Sequence, residues 1–152
     1  MLRLALLAIC VTAAALPAFA APSSKMLSVA VNEANFRKGP STQHEILFSA
    51  IRHYPVRELK RIKDWVLVED FEGEQGWVAA RLVTRKPAVI VRVNRANMRA
   101  KPTVKAAVVH KAERGEVYRV TGKKGRWLKL SAGEDLNGWL RGDLAWGATR
   151  RR

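Results

Sequence analysis

Cysteine is almost missing from this chain. The single one, Cys10, lies in an apolar run near the N-terminus. Beyond residue 20 no disulfide, thiol nucleophile or thiolate metal site is possible, so any fold there must hold by packing alone. Histidine is scarce: His44, His53 and His110 are the three in 152 residues. Neither H-E-x-x-H nor G-x-S-x-G occurs. No carboxylate pair sits in an apolar run that would raise its pKa. These absences point to a non-catalytic protein with no metal and no cofactor. The four acids of "EDFEGE", Glu69, Asp70, Glu72 and Glu74, read as a solvated hairpin rather than a calcium loop. Past residue 20 no long 3.6-residue apolar period appears, which argues against helices.

The longest apolar stretch runs from Leu4 to Leu16, broken only by Thr12. Arg3 precedes it, Pro17 follows, and Ala18-Phe19-Ala20 forms a small-x-small site. That layout matches a cleaved secretory signal peptide over residues 1–20, with an uncleaved anchor as the alternative. The run is short for a membrane-spanning helix, which needs about 20 apolar residues. The bulky Ile9 before Cys10 argues against lipidation. The expected location is outside the cytoplasm: periplasm, cell envelope or beyond.

Acidic residues are unevenly spread. The chain carries a net charge of +15. Residues 26–84 hold eight basic and eight acidic side chains and are neutral, whereas residues 88–147 hold thirteen basic and five acidic ones, a net of +8. Lys123, Lys124 and Arg126 crowd one turn, and Arg150, Arg151 and Arg152 end the chain. A field of one sign attracts anionic partners. The plainer reading is solubility and a solvated tail.

Most informative is an internal repeat. A constant shift of sixty-two residues, without a gap, superposes "NEANFRKGPST" (32–42) on "NRANMRAKPTV" (94–104). The same shift pairs Val29 with Val91, Trp65 with Trp127, Gly76-Trp77 with Gly138-Trp139, and Leu82 with Leu144. Each half alternates apolar and polar residues in short runs ("LSVAVN", "WVLVED", "AVIVRVN", "RWLKLS") broken by turn signals such as "KGPS" and "TGKKG". The reading is all-β: two small barrels, 26–84 and 88–147, joined by a short linker at 85–87 and followed by a basic tail at 148–152. About 60 residues is near the lower limit for a self-sufficient core, so packing the two units together would help.

The ordered elements Ala34-Asn35-Phe36-Arg37…Pro40-Ser41, Trp65 and Gly76-Trp77-Val78 recur as Ala96-Asn97-Met98-Arg99…Pro102-Thr103, Trp127 and Gly138-Trp139-Leu140. Together they resemble the bacterial SH3-like (SH3b) domain, in two tandem copies. The resemblance implies two tandem SH3-like β-barrels, with an RT-type loop after the first strand, an n-Src-type turn at "LKRIKD", a distal hairpin at "DFEGEQG" and a helical turn at "AARLV". It also implies a role in binding cell-wall material, often peptidoglycan peptide. The alternatives are a structural or regulatory protein–protein contact in the envelope, and non-specific polyanion binding by the basic second unit and tail.

Phe36 and Met98 are expected to plug the two cores. Asn35 and Asn97 are expected to hydrogen-bond the local backbone, and Pro40 and Pro102 to preset turns. Arg37 and Arg99 either brace the loop or grip a ligand carboxylate. Trp77 and Trp139, each after a glycine, are expected in the core. Trp65 and Trp127 stand beside the expected groove, where a ring either packs or stacks on a peptide or sugar. The ligand-binding candidates are therefore Arg37, Trp65, Arg99 and Trp127. The anion-attracting candidates are Lys123, Lys124, Arg126, Arg150, Arg151 and Arg152. Replacement of Gly39 by Lys101 shows that this position does not depend on positive φ.

Overall fold

The computed structural model describes residues 25–147. The expected signal peptide and Arg150, Arg151 and Arg152 lie outside the described residues. The first unit comprises β1 (Met26–Val29), β2 (Glu33–Arg37), β3 (Ile46–Ile51), β4 (Pro55–Ile62), β5 (Trp65–Glu69), β6 (Gln75–Ala79), a 3-10 turn at Ala80–Leu82 and β7 (Val83–Thr84). The second repeats this order as β8 (Ala88–Val91), β9 (Arg95–Arg99), β10 (Val108–Glu113), β11 (Val117–Lys124), β12 (Trp127–Ala132), β13 (Leu136–Arg141), a 3-10 turn at Gly142–Leu144 and β14 (Ala145–Gly147). Each is a seven-stranded antiparallel sheet, ordered β3-β2-β6-β5-β4-β1-β7 and β10-β9-β13-β12-β11-β8-β14. Among the described residues no helix is long and apolar enough to cross a membrane.

Alternation decides which side chains go inside. In β2 Ala34 and Phe36 are buried while Glu33 and Asn35 are exposed, and β9 repeats the pattern with Ala96 and Met98. Val66, Val68 and Val78 complete the first core, and Leu128, Leu130 and Leu140 the second. At these four equivalent positions the first core sets a phenylalanine with three valines, the second a methionine with three leucines. Cores tolerate such swaps when total volume is kept. Irregularities repeat too. The β2–β3 and β4–β5 ladders shift register at Phe36/Arg37 and Glu58/Lys60, and the second unit shifts at Val108/His110 and Val120/Gly122. Bulges like these bend a sheet and increase its twist.

Gly76 and Gly138 make room for the core plugs rather than for the tryptophans that follow them. A Cβ on Gly76 would lie 2.9 Å from the Phe36 Cβ, and one on Gly138 would lie 2.5 Å from the Met98 Cγ. Trp77 and Trp139 are half-buried on the outer face, against the sequence expectation. The pleat forces this: with Val78 and Leu140 inside, the preceding residue must point out. Gly39 also has a local reason. Its added Cβ would lie 2.5 Å from the His44 ring, and the counterpart of His44 beside Lys101 is the small Ala106.

The two units touch. Arg114 of the second lies over the Phe71 ring of the first, at 5.2 Å from its centroid, and pairs with Glu72 at 3.1 Å. Phe71 meets Tyr54 edge-on at 6.4 Å. The linker is fastened on both sides: the Lys86 carbonyl accepts from the Ser28 hydroxyl, and the Pro87 carbonyl accepts from the Val120 amide. His53, in a left-handed conformation (φ 71°), stands at this junction. Burial, then the charges of Arg119, Arg52 and Lys86, lower its pKa.

Asp70 organises the acidic hairpin. Its Oδ1 accepts from the amides of Glu72 and Glu74, and its Oδ2 from the Tyr54 hydroxyl at 3.0 Å. Burial, then the charge of Asp70, pushes the Tyr54 phenol up. The second unit builds a different polar cluster at the equivalent place. Glu116, which aligns with Tyr54, accepts from the Tyr118 hydroxyl and lies 3.1 Å from the His110 ring.

Candidate binding cleft

In β5 and β6, inward Val66, Val68 and Val78 leave Trp65, Leu67, Trp77 and Ala79 facing out. Cross-strand registry sets these side chains in two rows: Ile62, Trp65 and Ala79, then Lys60, Leu67, Trp77 and Arg37. Beside the first row is a cleft of about 190 Å³. Trp65, Ala79 and Leu82 supply its apolar wall; Asn35 and Thr42 its neutral polar groups; Glu33, Arg37 and Arg81 its charges. Glu33, Asn35 and Arg37 share the outer side of β2 because Ala34 and Phe36 take the inner one.

Arg37 braces its own loop. One Nη donates to the carbonyls of Thr42 at 3.1 Å and His44 at 2.8 Å. Arg99 does the same with the Ala106 carbonyl at 2.8 Å. Arg37 combines this brace with a place in the cleft. The expected backbone hydrogen bonds of Asn35 and Asn97 do not form: among the described residues neither side chain has a hydrogen-bond partner. Both stand exposed on the outer face of their strands.

Glu33 and Arg81 were not among the sequence candidates. Neither forms an ion pair among the described residues, so the cleft holds one uncompensated charge of each sign besides the braced Arg37. The signal for Glu33 was the two-residue spacing to Asn35 and Arg37. Arg81 had none, because its place depends on how the 3-10 turn at Ala80–Leu82 closes against β2.

The second unit carries different residues at the same positions. The sixty-two-residue shift takes Glu33 to Arg95, Thr42 to Val104, Ala79 to Arg141 and Arg81 to Asp143, while Asn35, Arg37 and Trp65 recur as Asn97, Arg99 and Trp127. Asp143 is bound by Arg141 through two contacts, 2.7 and 3.0 Å long. The hydrogen bond from Arg141 holds the Asp143 carboxyl below its usual pKa. Lys123, Lys124 and Arg126 lie exposed at the β11–β12 turn beside Trp127; none forms an ion pair among the described residues, and the Arg126 charge also acts on the Asp143 carboxyl. No group of three or more His, Cys, Asp or Glu side chains among those residues is arranged to hold a metal ion.

A family model described as bacterial SH3 domain matches residues 30–84 and again 92–147. The chain belongs to the bacterial SH3 domain family. Its two SH3 domains are similar to part of the Bacillus subtilis (strain 168) protein named "Putative N-acetylmuramoyl-L-alanine amidase YrvJ", 27% identical over 125 residues. That match takes in 74% of this chain but 24% of the relative, so the chain spans about a quarter of the curated protein it matches. Among solved structures, NlpC2 from Trichomonas vaginalis matches 84% of this chain and 49% of its own, at 11% identity and a TM-score of 0.39. An NlpC/P60 family protein from Bacillus cereus ATCC 10987 matches 81% and 56%, at 13% identity and a TM-score of 0.38.

Proposed function

We propose that this is a non-catalytic, exported binding protein whose first SH3 domain recognises a cell-wall peptide. One observation carries the reading: the cleft beside Trp65 combines a free carboxylate, Glu33, with the guanidinium groups of Arg81 and Arg37. A short peptide bearing both an amine and a carboxylate complements that set. The amine pairs with Glu33, the carboxylate with a guanidinium fork, and the aliphatic part lies on the indole. A cleft this small suits the end of a short peptide rather than a folded partner. The amidase named among the relatives supports wall peptide as the source of such a ligand.

The test is co-sedimentation of the full two-domain protein with purified sacculi, followed by titration of a soluble wall peptide monitored by tryptophan fluorescence. Glu33→Gln and Arg81→Gln should each weaken peptide binding roughly tenfold, as expected for an exposed charge-assisted contact. Absence of sedimentation at low salt would refute the reading.

A second reading, a structural subunit of an envelope complex, draws on the exposed apolar pairs Ile46 and Leu47 on β3 and Val108 and Val109 on β10. They occupy equivalent places on the edge strand of each sheet. This reading predicts one specific protein in crosslinking and little affinity for purified wall.

A further inference from the structure

The outer face of the second sheet repeats the rows of the first with the charge changed. Registry aligns Arg99, Trp139, Lys129 and Gly122 in one row, and Arg141, Trp127 and Lys124 in the next. The first unit has Arg37, Trp77, Leu67 and Lys60, then Ala79, Trp65 and Ile62. So Leu67 becomes Lys129, Ile62 becomes Lys124 and Ala79 becomes Arg141. Each indole of the second unit is therefore flanked by a cation on both sides. The one lysine lost, Lys60 to Gly122, leaves space that Lys129 uses: a Cβ on Gly122 would lie 3.4 Å from the Lys129 Cβ and 3.8 Å from its Cδ. Strands lie about 4.8 Å apart, so the two cations flanking one indole stand on backbones about 10 Å apart. Arg141 is neutralised by Asp143. Lys124 and Lys129 are exposed and have no acidic partner among the described residues.

We infer that this face binds an acidic glycan, a chain of sugar rings bearing carboxylate or other anionic groups. A ribbon crossing the strands would meet cation, ring and cation in turn. The half-buried indoles offer apolar surface to the CH faces of sugars, and the lysines meet the acidic substituents. The net charge of +8 on residues 88–147 draws such a polymer in. The export expected from residues 1–20 makes a glycan, rather than a nucleic acid, the polyanion within reach. The inference uses none of Glu33, Arg81 or the first cleft, and stands if the peptide reading fails.

The experiment titrates the full protein with polygalacturonate at low salt, monitored by tryptophan fluorescence, with dextran as the neutral control and oligothymidylate as the nucleic-acid control. Lys124→Ile with Lys129→Leu installs residues that the first unit already carries at these positions, so the fold should tolerate them. This pair should weaken polygalacturonate binding roughly tenfold, and added salt should weaken the native protein's binding. The Lys124→Arg, Lys129→Arg pair should keep the affinity within about threefold, which separates lost charge from disturbed folding. Deleting residues 148–152 should cost less than the Ile/Leu pair. The inference is overturned if the Ile/Leu pair binds within about twofold of native, or if the Arg pair loses as much as it does. It is equally overturned if the tail deletion abolishes binding, if dextran binds equally, or if oligothymidylate binds more tightly.

Discussion

Alanine at Gly76 should destabilise the protein more than alanine at Gly138, although the second contact is the shorter. An added Cβ on Gly76 meets the Phe36 Cβ at 2.9 Å; on Gly138 it meets the Met98 Cγ at 2.5 Å and Sδ at 2.7 Å. Carbon atoms pack at about 3.5–4.0 Å, so both must yield by roughly an ångström. What yields differs. The Phe36 Cβ is one bond from the backbone, and its ring is stacked on Phe48 at 4.7 Å and 8°. Relief there requires β2 and β6 to move apart. The clashing Met98 atoms lie further along an unbranched chain that can change rotamer. Overpacking costs about 1–3 kcal/mol, and Gly→Ala returns about 0.5 kcal/mol by restricting the unfolded chain. The expected net losses are about 2 kcal/mol for Gly76→Ala and about 0.5–1 kcal/mol for Gly138→Ala. Urea unfolding followed by tryptophan fluorescence gives both values from the midpoint shift at unchanged slope. Equal losses, or a greater loss at Gly138, would refute the argument that the rigidity of the neighbour, and not the distance, sets the cost.

Three more predictions concern the junction and the loops. His53 has a folded pKa lowered below 6.5, so the unfolded chain binds its proton more readily. That contribution to stability is full above about pH 7 and is lost as pH falls through 6.5 towards the folded value. Thermal melts from pH 7.5 to 5 should show the loss, and His53→Asn, which tolerates positive φ, should flatten it. Arg114→Ala removes the contact over Phe71 and the Glu72 pair, and should cost about 1 kcal/mol, with hydrogen exchange rising at the junction. Gly39→Lys should be destabilising alone and close to neutral together with His44→Ala, since the pair recreates Lys101 and Ala106; a double-mutant cycle measures the coupling.

Much of this fold could be read in the chain because the repeat states it twice. The sixty-two-residue shift that aligns the motifs also aligns the strands, the 3-10 turns and the bulges. Their apolar character placed Phe36 and Met98 inside correctly, and period-two alternation agrees. Alternation would have placed Trp77 and Trp139 outside, had it been preferred to the general rule that glycine makes room for a neighbouring ring. The side chain needing room is Phe36, at its Cβ, forty residues away in sequence, a contact that no local pattern reveals. The cleft was half visible for the same reason. Arg37 and Trp65 belong to the repeated motif, whereas Glu33 and Arg81 do not recur and attract notice only when β2 and the 3-10 turn are brought together.

Residues that differ between the copies carry more functional information than those that agree. Asn35/Asn97, Arg37/Arg99 and Trp65/Trp127 agree, and the two arginines brace the equivalent loop carbonyl, of His44 in one unit and Ala106 in the other. Glu33 to Arg95 and Arg81 to Asp143 reverse sign at the same two places. A ligand that places an amine against Glu33 meets a like charge at Arg95, and one that places a carboxylate against Arg81 meets Asp143, already bound by Arg141. Like charges facing each other discriminate against the wrong ligand as effectively as opposite charges select the right one. On the proposed reading, two barrels with one backbone and reversed charges at these two places are not two equal grips on one peptide. The lysines that replace Leu67 and Ile62 then favour an anion as the ligand of the second.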